Sequence, residues 1–310
     1  MKRTIFGLGL AAGGAAFGQV PEAPVDPIDP LKEVRSAVGA KDGDLSRLAR
    51  MLAGKKGGNH LFYLPTHDEP ATPAKWGYKF ENVAFASEDG TPLHGWFMPA
   101  KGKRVKGTIV FSHGNAGAIG HHLGFTMWLV EGGYNVLMYD YRGFGKSGGE
   151  VDRRGMINDV KAAFSYIATR KDVDPTKLVS FGHSLGGAKS ITALGETPVA
   201  GLKAIVIDGT FSSYQAMARV VAGQLGADLV SDDLSPLGFV GKLPLVPFLV
   251  VHGKRDEVVP FAQGLTLFET AHEPKTLFAV DDGTHGGSLF QNNGAYRAKM
   301  LAWLDERVIR

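Results

Sequence analysis

One serine lies in a sequence context that is typical of a catalytic nucleophile. The segment Gly182-His183-Ser184-Leu185-Gly186-Gly187 follows a short apolar run at residues 178–181 and leads into a helical pattern at residues 185–195. A serine at the apex of a sharp turn between a strand and a helix exposes its hydroxyl, and small flanking residues let the strand and helix approach closely. This context predicts that Ser184 is a nucleophile on such a turn. The alternative is an ordinary glycine-rich turn.

A serine hydroxyl is a poor nucleophile unless a base takes its proton and a carboxylate orients that base. Asp256 follows the apolar run at residues 248–251, and His285 follows the next run at residues 276–280. The chain order of nucleophile, acid and base is that of one of the known convergent triads. We therefore predict Ser184, Asp256 and His285 as the catalytic residues.

Other carboxylates compete for the role of the acid. Asp208 follows the apolar run at residues 204–207 and is the main alternative, although it could instead brace the loop beneath the site. Glu257 would project in another direction than its neighbour in the sequence. Asp281 and Asp282 have the character of turn residues.

Other histidines compete for the role of the base. His252, at the end of a predicted strand, and His183, beside the nucleophile, are expected to be packed and hydrogen-bonded. His121 and His122 are adjacent in a helical pattern and do not share a helix face, so they form a poor metal pair. We predict no metal site.

Acyl transfer also requires hydrogen-bond donors for the oxyanion that develops on the carbonyl oxygen. One donor is expected at the backbone amide of Leu185, directly after the nucleophile at a helix N-terminus. The other is expected in the loop His113-Gly114-Asn115-Ala116-Gly117, which follows the apolar run at residues 108–112. We assign this second donor to the backbone amide of Asn115, with that of Ala116 as the next choice.

The segment Gly143-Phe144-Gly145-Lys146-Ser147-Gly148 matches the spacing of a dinucleotide-binding loop. Its context does not match, because it lies outside the first strand–helix unit, polar residues precede it and no helix begins directly after it. A P-loop spacing is also incomplete, since position 140 is Asp rather than Gly. We therefore predict no cofactor. Cysteine is absent, which excludes a thiol nucleophile and a cysteine-based zinc site.

The elements that must position these residues alternate between strands and helices. A hairpin is predicted at Asp89-Gly90, between strands at residues 83–86 and 93–98. Further strands are predicted at residues 108–112, 135–139, 178–181, 204–207, 248–251 and 276–280, and helices at residues 121–131, 155–170, 185–195, 260–271 and 292–308. This pattern predicts an α/β fold with a mostly parallel sheet and helices on both faces. Ligands bind such sheets at the carboxyl ends of the strands, where the candidate residues fall.

With these motifs, the chain resembles the α/β-hydrolase superfamily over about residues 60–308. A narrower resemblance is to bacterial relatives of the eukaryotic α/β-hydrolase-domain acylglycerol lipases and protein depalmitoylases. Besides the segments around the three catalytic candidates, the resemblance rests on residues 61–65, 89–96, 113–117 and 139–143. It implies an α/β-hydrolase fold and hydrolysis of an ester or thioester. It does not specify the acyl group.

Two features of the chain qualify this resemblance. Many members of the family have Asn after the base, whereas Gly286-Gly287 follow His285 here, so we expect a less rigid loop. The segment that corresponds to the cap, at about residues 211–247, has room for one or two helices. Its apolar side chains favour an apolar acyl group, but packing explains them equally well; they are Phe211, Tyr214, Met217, Leu237 and Phe239.

The N-terminal residues differ in character from the rest of the chain. Residues 1–18 carry Lys2 and Arg3, then an apolar run and small residues, the layout of a signal peptide for export to the periplasm or beyond. An uncleaved anchor is the alternative. Residues 19–58 form a proline-rich spacer and a stretch with helical spacing, and residues 59–310 are expected to form the α/β-hydrolase domain with its small cap.

Composition limits the classes of partner. The chain has 310 residues, 44% of them hydrophobic and 21% charged, which is typical of a globular protein. Its net charge is +3, with two positive charges on Lys2 and Arg3, so nucleic acid is not expected as a partner. We expect a small-molecule or lipid ester substrate and leave association with a membrane surface and the oligomeric state open. The alternatives are a serine peptidase of the same fold and a non-catalytic envelope protein that binds a partner or lipid.

Overall fold

Residues 62–309 are described by a computed structural model of the chain. The predicted signal peptide at residues 1–18 and the predicted spacer and extension at residues 19–58 lie outside the described residues. The strands of the described part are, in chain order, β1 (Leu64–Pro65), β2 (Glu81–Ala86), β3 (Pro92–Met98), β4 (Gly107–Ser112), β5 (Ala116–Gly117), β6 (Tyr134–Tyr139), β7 (Leu178–His183), β8 (Leu202–Asp208), β9 (Phe248–Gly253) and β10 (Lys275–Val280).

The central sheet has eight strands in the order β10-β9-β8-β7-β4-β6-β3-β2. The six strands from β10 to β6 in this order are parallel, whereas β3 is antiparallel to β6 and β2 is antiparallel to β3. The predicted hairpin joins β2 to β3, with Gly90 at a φ of 82° in its turn. The predicted mostly parallel sheet is confirmed.

Helices cover both faces of this sheet. In chain order they are α1 (Met127–Glu131), α2 (Arg153–Thr169), α3 (Leu185–Glu196), α4 (Tyr214–Leu229), α5 (Leu237–Val240), α6 (Phe261–Thr270) and α7 (Gln291–Val308), with 3-10 helices at Pro73–Trp76 and Ile119–Phe125. Val110 of β4 packs in the core on the side of α2, α3 and α6, while Ile109 and Phe111 pack with α1 and α7. The alternation of side chains along a strand thus supplies two cores, one on each face.

The helix predicted at residues 121–131 is only partly α-helical. Its first part belongs to the 3-10 helix Ile119–Phe125, and α1 begins at Met127. Gly120 and Gly124 weaken an α-helix here, and a Cβ at Gly120 would lie 2.9 Å from the carbonyl oxygen of Ala71. Close approach of a neighbouring segment therefore decided the local geometry.

The segment between β8 and β9 contains α4 and α5, within the range expected for the cap. Phe211, Tyr214 and Met217 at its start are buried in the core on the α3 side of the sheet, so packing accounts for them. The guanidinium of Arg153 stacks on the Tyr214 ring at 3.6 Å and donates to the carbonyl oxygens of Ser231 and Asp233. These contacts fasten the segment to the start of α2.

None of the helices within residues 62–309 combines the length and the apolar character needed to cross a bilayer.

The core between α3 and the cap segment contains a buried lysine. Lys189 is 1% exposed, and its Nζ donates to the Tyr63 hydroxyl at 3.1 Å and to the Arg153 carbonyl oxygen at 3.2 Å. Within residues 62–309 no carboxylate forms an ion pair with it. Burial, and secondarily the positive charge of Arg153, holds the pKa of Lys189 well below its ordinary value of 10.5.

We predict that Lys189→Met raises the free energy of unfolding near neutral pH. Because the pKa of Lys189 is lower in the folded chain than in the unfolded chain, the unfolded chain binds more protons between the two pKa values, and the wild-type protein gains stability as pH rises toward 10.5. The variant should lose that contribution, whose slope is at most about 1.4 kcal/mol per pH unit. Urea denaturation between neutral pH and pH 10 measures the difference.

The matched control is Lys79→Met at an exposed lysine, which should leave the pH dependence unchanged. Equal slopes for the wild type and Lys189→Met would contradict a lowered pKa of the buried amine.

Candidate active site

Ser184 occupies the turn between β7 and α3 in a strained backbone conformation. Its φ is 51° and its ψ is −116°, and a non-glycine residue at such a position costs about 1–3 kcal/mol. The Ser184 amide donates to the carbonyl oxygen of Asp208 on the adjacent strand at 2.8 Å, which fixes the turn. The predicted strand–turn–helix context of the serine is therefore present.

Glycines allow this turn to form because the chain segments around it are in close contact. A Cβ at Gly182 would collide with the backbone of Gly187, and one at Gly186 would collide with the carbonyl oxygen of Ser112. A Cβ at Gly187 would collide with the hydroxyl of Thr210. Larger residues at these positions would push the helix away from the strand that carries the nucleophile.

The imidazole of His285 lies between Ser184 and Asp256. Its Nε2 is 3.1 Å from Ser184 Oγ, and its Nδ1 is 2.9 Å from Asp256 Oδ2. Because an ionised carboxylate only accepts hydrogen bonds, Nδ1 carries a proton, and in the neutral imidazole Nε2 is then free to accept the serine hydroxyl. The fold thus brings the three residues predicted from separate segments of the sequence within hydrogen-bond distance.

The carboxylate of Asp256 is held on both oxygens. Oδ1 accepts the amides of Val258 and Val259 at 3.0 and 2.7 Å, and Oδ2 faces the imidazoles of His285 and His252. Burial by itself would raise the pKa of Asp256, but the hydrogen bonds from the two histidines outweigh it and lower the pKa well below its usual range. The group is therefore an anion at neutral pH, as needed to orient an imidazole.

The alternative acid, Asp208, contacts a different histidine. It lies opposite His183 across β7 and β8, and its Oδ2 is 2.8 Å from His183 Nδ1. Burial lowers the pKa of His183 in spite of this hydrogen bond, and the ring stacks on Phe125 with centroids 4.3 Å apart. Asp208 thus braces the turn beneath the nucleophile rather than the imidazole of His285.

The other carboxylates face solvent. Glu257 is exposed. Asp281 and Asp282 form ion pairs with Lys254 and Arg255, with shortest distances of 2.7 and 2.9 Å. None of these three carboxylates contacts His285.

The remaining candidate histidines are packed. His252 is fully buried and lies against Asp256, a contact that no sequence motif indicated because it requires the loop after β9 to fold back. His121 accepts the amide of Ala118, and His122 Nε2 lies 3.0 Å from the carbonyl oxygen of Ala116. No group of three acidic or histidine side chains in the described part of the chain is arranged to hold a metal ion.

The proposed oxyanion loop is held by the short strand β1. Strands β1 and β5 pair in parallel, and the Leu64 amide donates to the Asn115 carbonyl oxygen at 2.8 Å. The backbone amides of Asn115 and Leu185 donate no hydrogen bond to any residue within 62–309. Two residues are too few to show a periodic pattern, so this strand pairing cannot be predicted from the sequence.

The glycine-rich segment at residues 143–148 forms a loop that is hydrogen-bonded to neighbouring segments of the chain. The amide of Gly148 donates to the Pro92 carbonyl oxygen at 2.8 Å, and the Ser147 hydroxyl donates to the Asp140 carbonyl oxygen at 2.7 Å. The next helix, α2, begins only at Arg153. The segment thus has no helix N-terminus at its last glycine.

The loop that carries His285 makes a tight turn. Gly286 has a φ of 69°, and a Cβ there would lie 3.4 Å from the Phe125 ring. The Gly287 amide donates to the Thr284 carbonyl oxygen at 3.1 Å. The two glycines after the histidine therefore form a tight turn that packs against the Phe125 ring.

The sheet order, the strained serine turn and the three groups at the ends of β7, β9 and β10 define the class of protein. The chain belongs to the α/β-hydrolase superfamily, which supports hydrolase activity. Residues 103–231 match the family model Hydrolase_4, described as "Serine aminopeptidase, S33".

Two relatives cover most of the chain. The protein YfhR of Escherichia coli (strain K12) is 35% identical over 249 residues, which are 79% of this chain and 86% of YfhR. The α/β-hydrolase domain-containing protein WAV2 of Arabidopsis thaliana is 33% identical over an alignment of 270 residues, which covers 79% of this chain and 87% of WAV2.

A solved structure shares the fold. An esterase of Pyrococcus furiosus superposes with a TM-score of 0.67 at 19% identity and covers 80% of this chain and 98% of its own. At this identity the likeness shows the fold alone.

We predict that Gly186→Ala destabilises the protein by about 3 kcal/mol or more, because its Cβ would collide with the carbonyl oxygen of Ser112. Urea denaturation measures the loss. Gly238→Ala, in α5 with no atom near the added Cβ, is the control and should be neutral or stabilising by up to about 1 kcal/mol. Similar stabilities for the two variants would show that the turn tolerates a larger separation between α3 and β4.

Proposed function

We propose that this chain is a serine hydrolase that cleaves carboxylic esters or thioesters through an acyl-enzyme. The observation that carries the proposal is the hydrogen-bonded series Ser184–His285–Asp256, with distances of 3.1 and 2.9 Å. The three groups lie in the hydrogen-bonded order that general-base activation of a hydroxyl requires. No cofactor is needed for this chemistry.

In the first half of the reaction, Ser184 Oγ attacks the acyl carbonyl carbon while His285 Nε2 takes the hydroxyl proton. The amides of Leu185 and Asn115 stabilise the oxyanion of the tetrahedral intermediate. When the intermediate collapses, the bond from the carbonyl carbon to the leaving oxygen or sulfur breaks, and His285 returns the proton to the leaving group. Asp256 keeps the imidazole in the required tautomer and stabilises its cationic form.

In the second half, water attacks the acyl-enzyme. His285 Nε2 takes a proton from the water as its oxygen bonds to the carbonyl carbon. Collapse of this second intermediate breaks the bond to Ser184 Oγ, and the imidazole returns the proton to the serine. The carboxylic acid product leaves and the free enzyme is restored.

The family description favours a second candidate reaction, cleavage of a peptide bond. The matched residues, 103–231, include Ser184 but neither Asp256 nor His285. An amide is a harder substrate for the same three groups because its leaving group is poorer. We therefore place ester or thioester cleavage first and a small-molecule or lipid-like acyl compound as the substrate.

Export, and association of the protein with a membrane surface, are further proposals. They rest on residues 1–18 of the sequence, which lie outside the described residues.

We predict that Ser184→Ala lowers kcat for ester hydrolysis by about 10⁴-fold to 10⁶-fold, because it removes the hydroxyl that is hydrogen-bonded to His285 Nε2. The assay uses p-nitrophenyl esters of increasing acyl length, the matching thioesters, and aminoacyl p-nitroanilides. A fluorophosphonate probe should label the wild type and not the variant. Turnover of anilides in preference to esters would favour the peptidase. A wild type that is inert to all substrates and to the probe would refute the enzyme.

We predict that Asp256→Asn lowers kcat by about 10⁴-fold, because the amide favours the wrong tautomer of His285. Asp208→Asn is the matched control. Its side chain contacts His183 and not His285, so the expected loss is about tenfold or less. Losses of equal size in the two variants would contradict the assignment of Asp256 as the acid, and a larger loss in Asp208→Asn would favour Asp208.

A further inference from the structure

A second imidazole lies against the carboxylate of Asp256. His252, the penultimate residue of β9, has its Nε2 3.4 Å from Asp256 Oδ2 and 2.9 Å from the carbonyl oxygen of Val259. The side chains of His252 and Asp256 are 0% and 1% exposed. The oxygen that orients His285 is thus shared with another histidine, in a place that solvent does not reach.

The hydrogen-bond partners define where the proton of His252 lies. A carbonyl oxygen and an ionised carboxylate only accept, so Nε2 carries a proton and directs it toward Val259 and Asp256. The Val259 carbonyl oxygen is the closer acceptor of this proton, and Asp256 Oδ2 is the second, more distant one. The N–H therefore holds the loop after β9 through Val259 and partly offsets the negative charge of Asp256.

The opposite side of the ring explains a glycine inside a helix. Gly264 lies in the middle of α6, where glycine destabilises a helix by about 1 kcal/mol relative to alanine. A Cβ at this position would collide with Nδ1 of His252, which is buried and forms no hydrogen bond within residues 62–309. The absence of a side chain on α6 is what allows the imidazole to reach Asp256.

We propose that His252 is a positioning residue that limits how strongly Asp256 stabilises the protonated form of His285. The inference rests on the proposed function. A carboxylate that accepts a second N–H contact attracts the imidazolium less strongly. His285 therefore releases its proton at lower pH. The arrangement thus extends toward acidic pH the range in which His285 can act as a base.

The charged and titratable neighbours of the two histidines are few. His252 faces Asp256, with the charge of Asp208 further away, and the edge of the Phe261 ring at a centroid distance of 5.7 Å. His285 faces Asp256 and has the His183 ring at a centroid distance of 5.1 Å. Burial lowers the pKa of His252, but the contacts with Asp256 and Val259 outweigh it and raise the pKa, so His252→Leu removes a titratable N–H donor and leaves the other charges in place.

The test compares His252→Leu with His252→Gln, whose side-chain amide retains an N–H. We expect the leucine variant to lose about tenfold in kcat/KM, and the acidic midpoint of its pH profile to move up by about 0.5 to 1 pH unit. The glutamine variant should recover most of both effects. Active-site titration with a fluorophosphonate corrects for any misfolded fraction.

A second variant approaches the same contact from the helix. Gly264→Ala leaves His252 in the chain but displaces its ring from Asp256, so its acidic midpoint should move in the same direction as that of His252→Leu. Gly238→Ala, a helical glycine with free space around it, should leave the midpoint unchanged.

A measurement without substrate separates this inference from the proposed function. The proton on His285 Nδ1 can be followed by NMR as pH is lowered, in the wild type and in the leucine variant. A higher titration midpoint in the variant supports the inference even if no ester is cleaved. Equal midpoints in folded wild type and His252→Leu would overturn it, even for an active esterase, and would reduce His252 to a packed core residue.

Discussion

The close approach of α3 to β4 and β7 is the constraint on which the site depends. Ser184 can hold a φ of 51° only because its amide is bonded to Asp208 and because glycines let the backbones of neighbouring segments touch. The strain costs about 1–3 kcal/mol, and the packing of the two cores is what sustains it. The strained turn holds the Ser184 hydroxyl at the carboxyl edge of the sheet, where Asp256 and His285 also lie.

The chemistry is distributed over adjacent parallel strands, each of which ends in a polar group. Because β7, β8, β9 and β10 are neighbours in the sheet, their terminal loops deliver a serine, two aspartates and a histidine to one edge. The two aspartates contact different histidines, so similar residues serve different purposes. Asp208 braces His183 and the serine turn, whereas Asp256 holds His285.

The sequence was most informative where local pattern and chemistry coincide. Strands β4, β6, β7, β8, β9 and β10 were predicted to within about two residues, since parallel strands with helices on both faces are nearly continuous apolar runs. The helix predicted at residues 121–131 was partly wrong, because contact with Ala71 and the local glycines favoured a 3-10 helix. The pairing of β1 with β5 was invisible, because nothing in two residues encodes a distant partner.

The sequence by itself determined the α/β fold, the order of the candidate nucleophile, acid and base, and the glycines that permit a sharp turn at Ser184. These follow from residue type, spacing and hydrophobic periodicity, which are properties of short segments. Only the tertiary structure decided which aspartate lies against which histidine, that His252 reaches Asp256 across the loop after β9, and that Gly264 makes room for it. Such contacts depend on the register of neighbouring strands and on loop paths, and no segment contains that information alone.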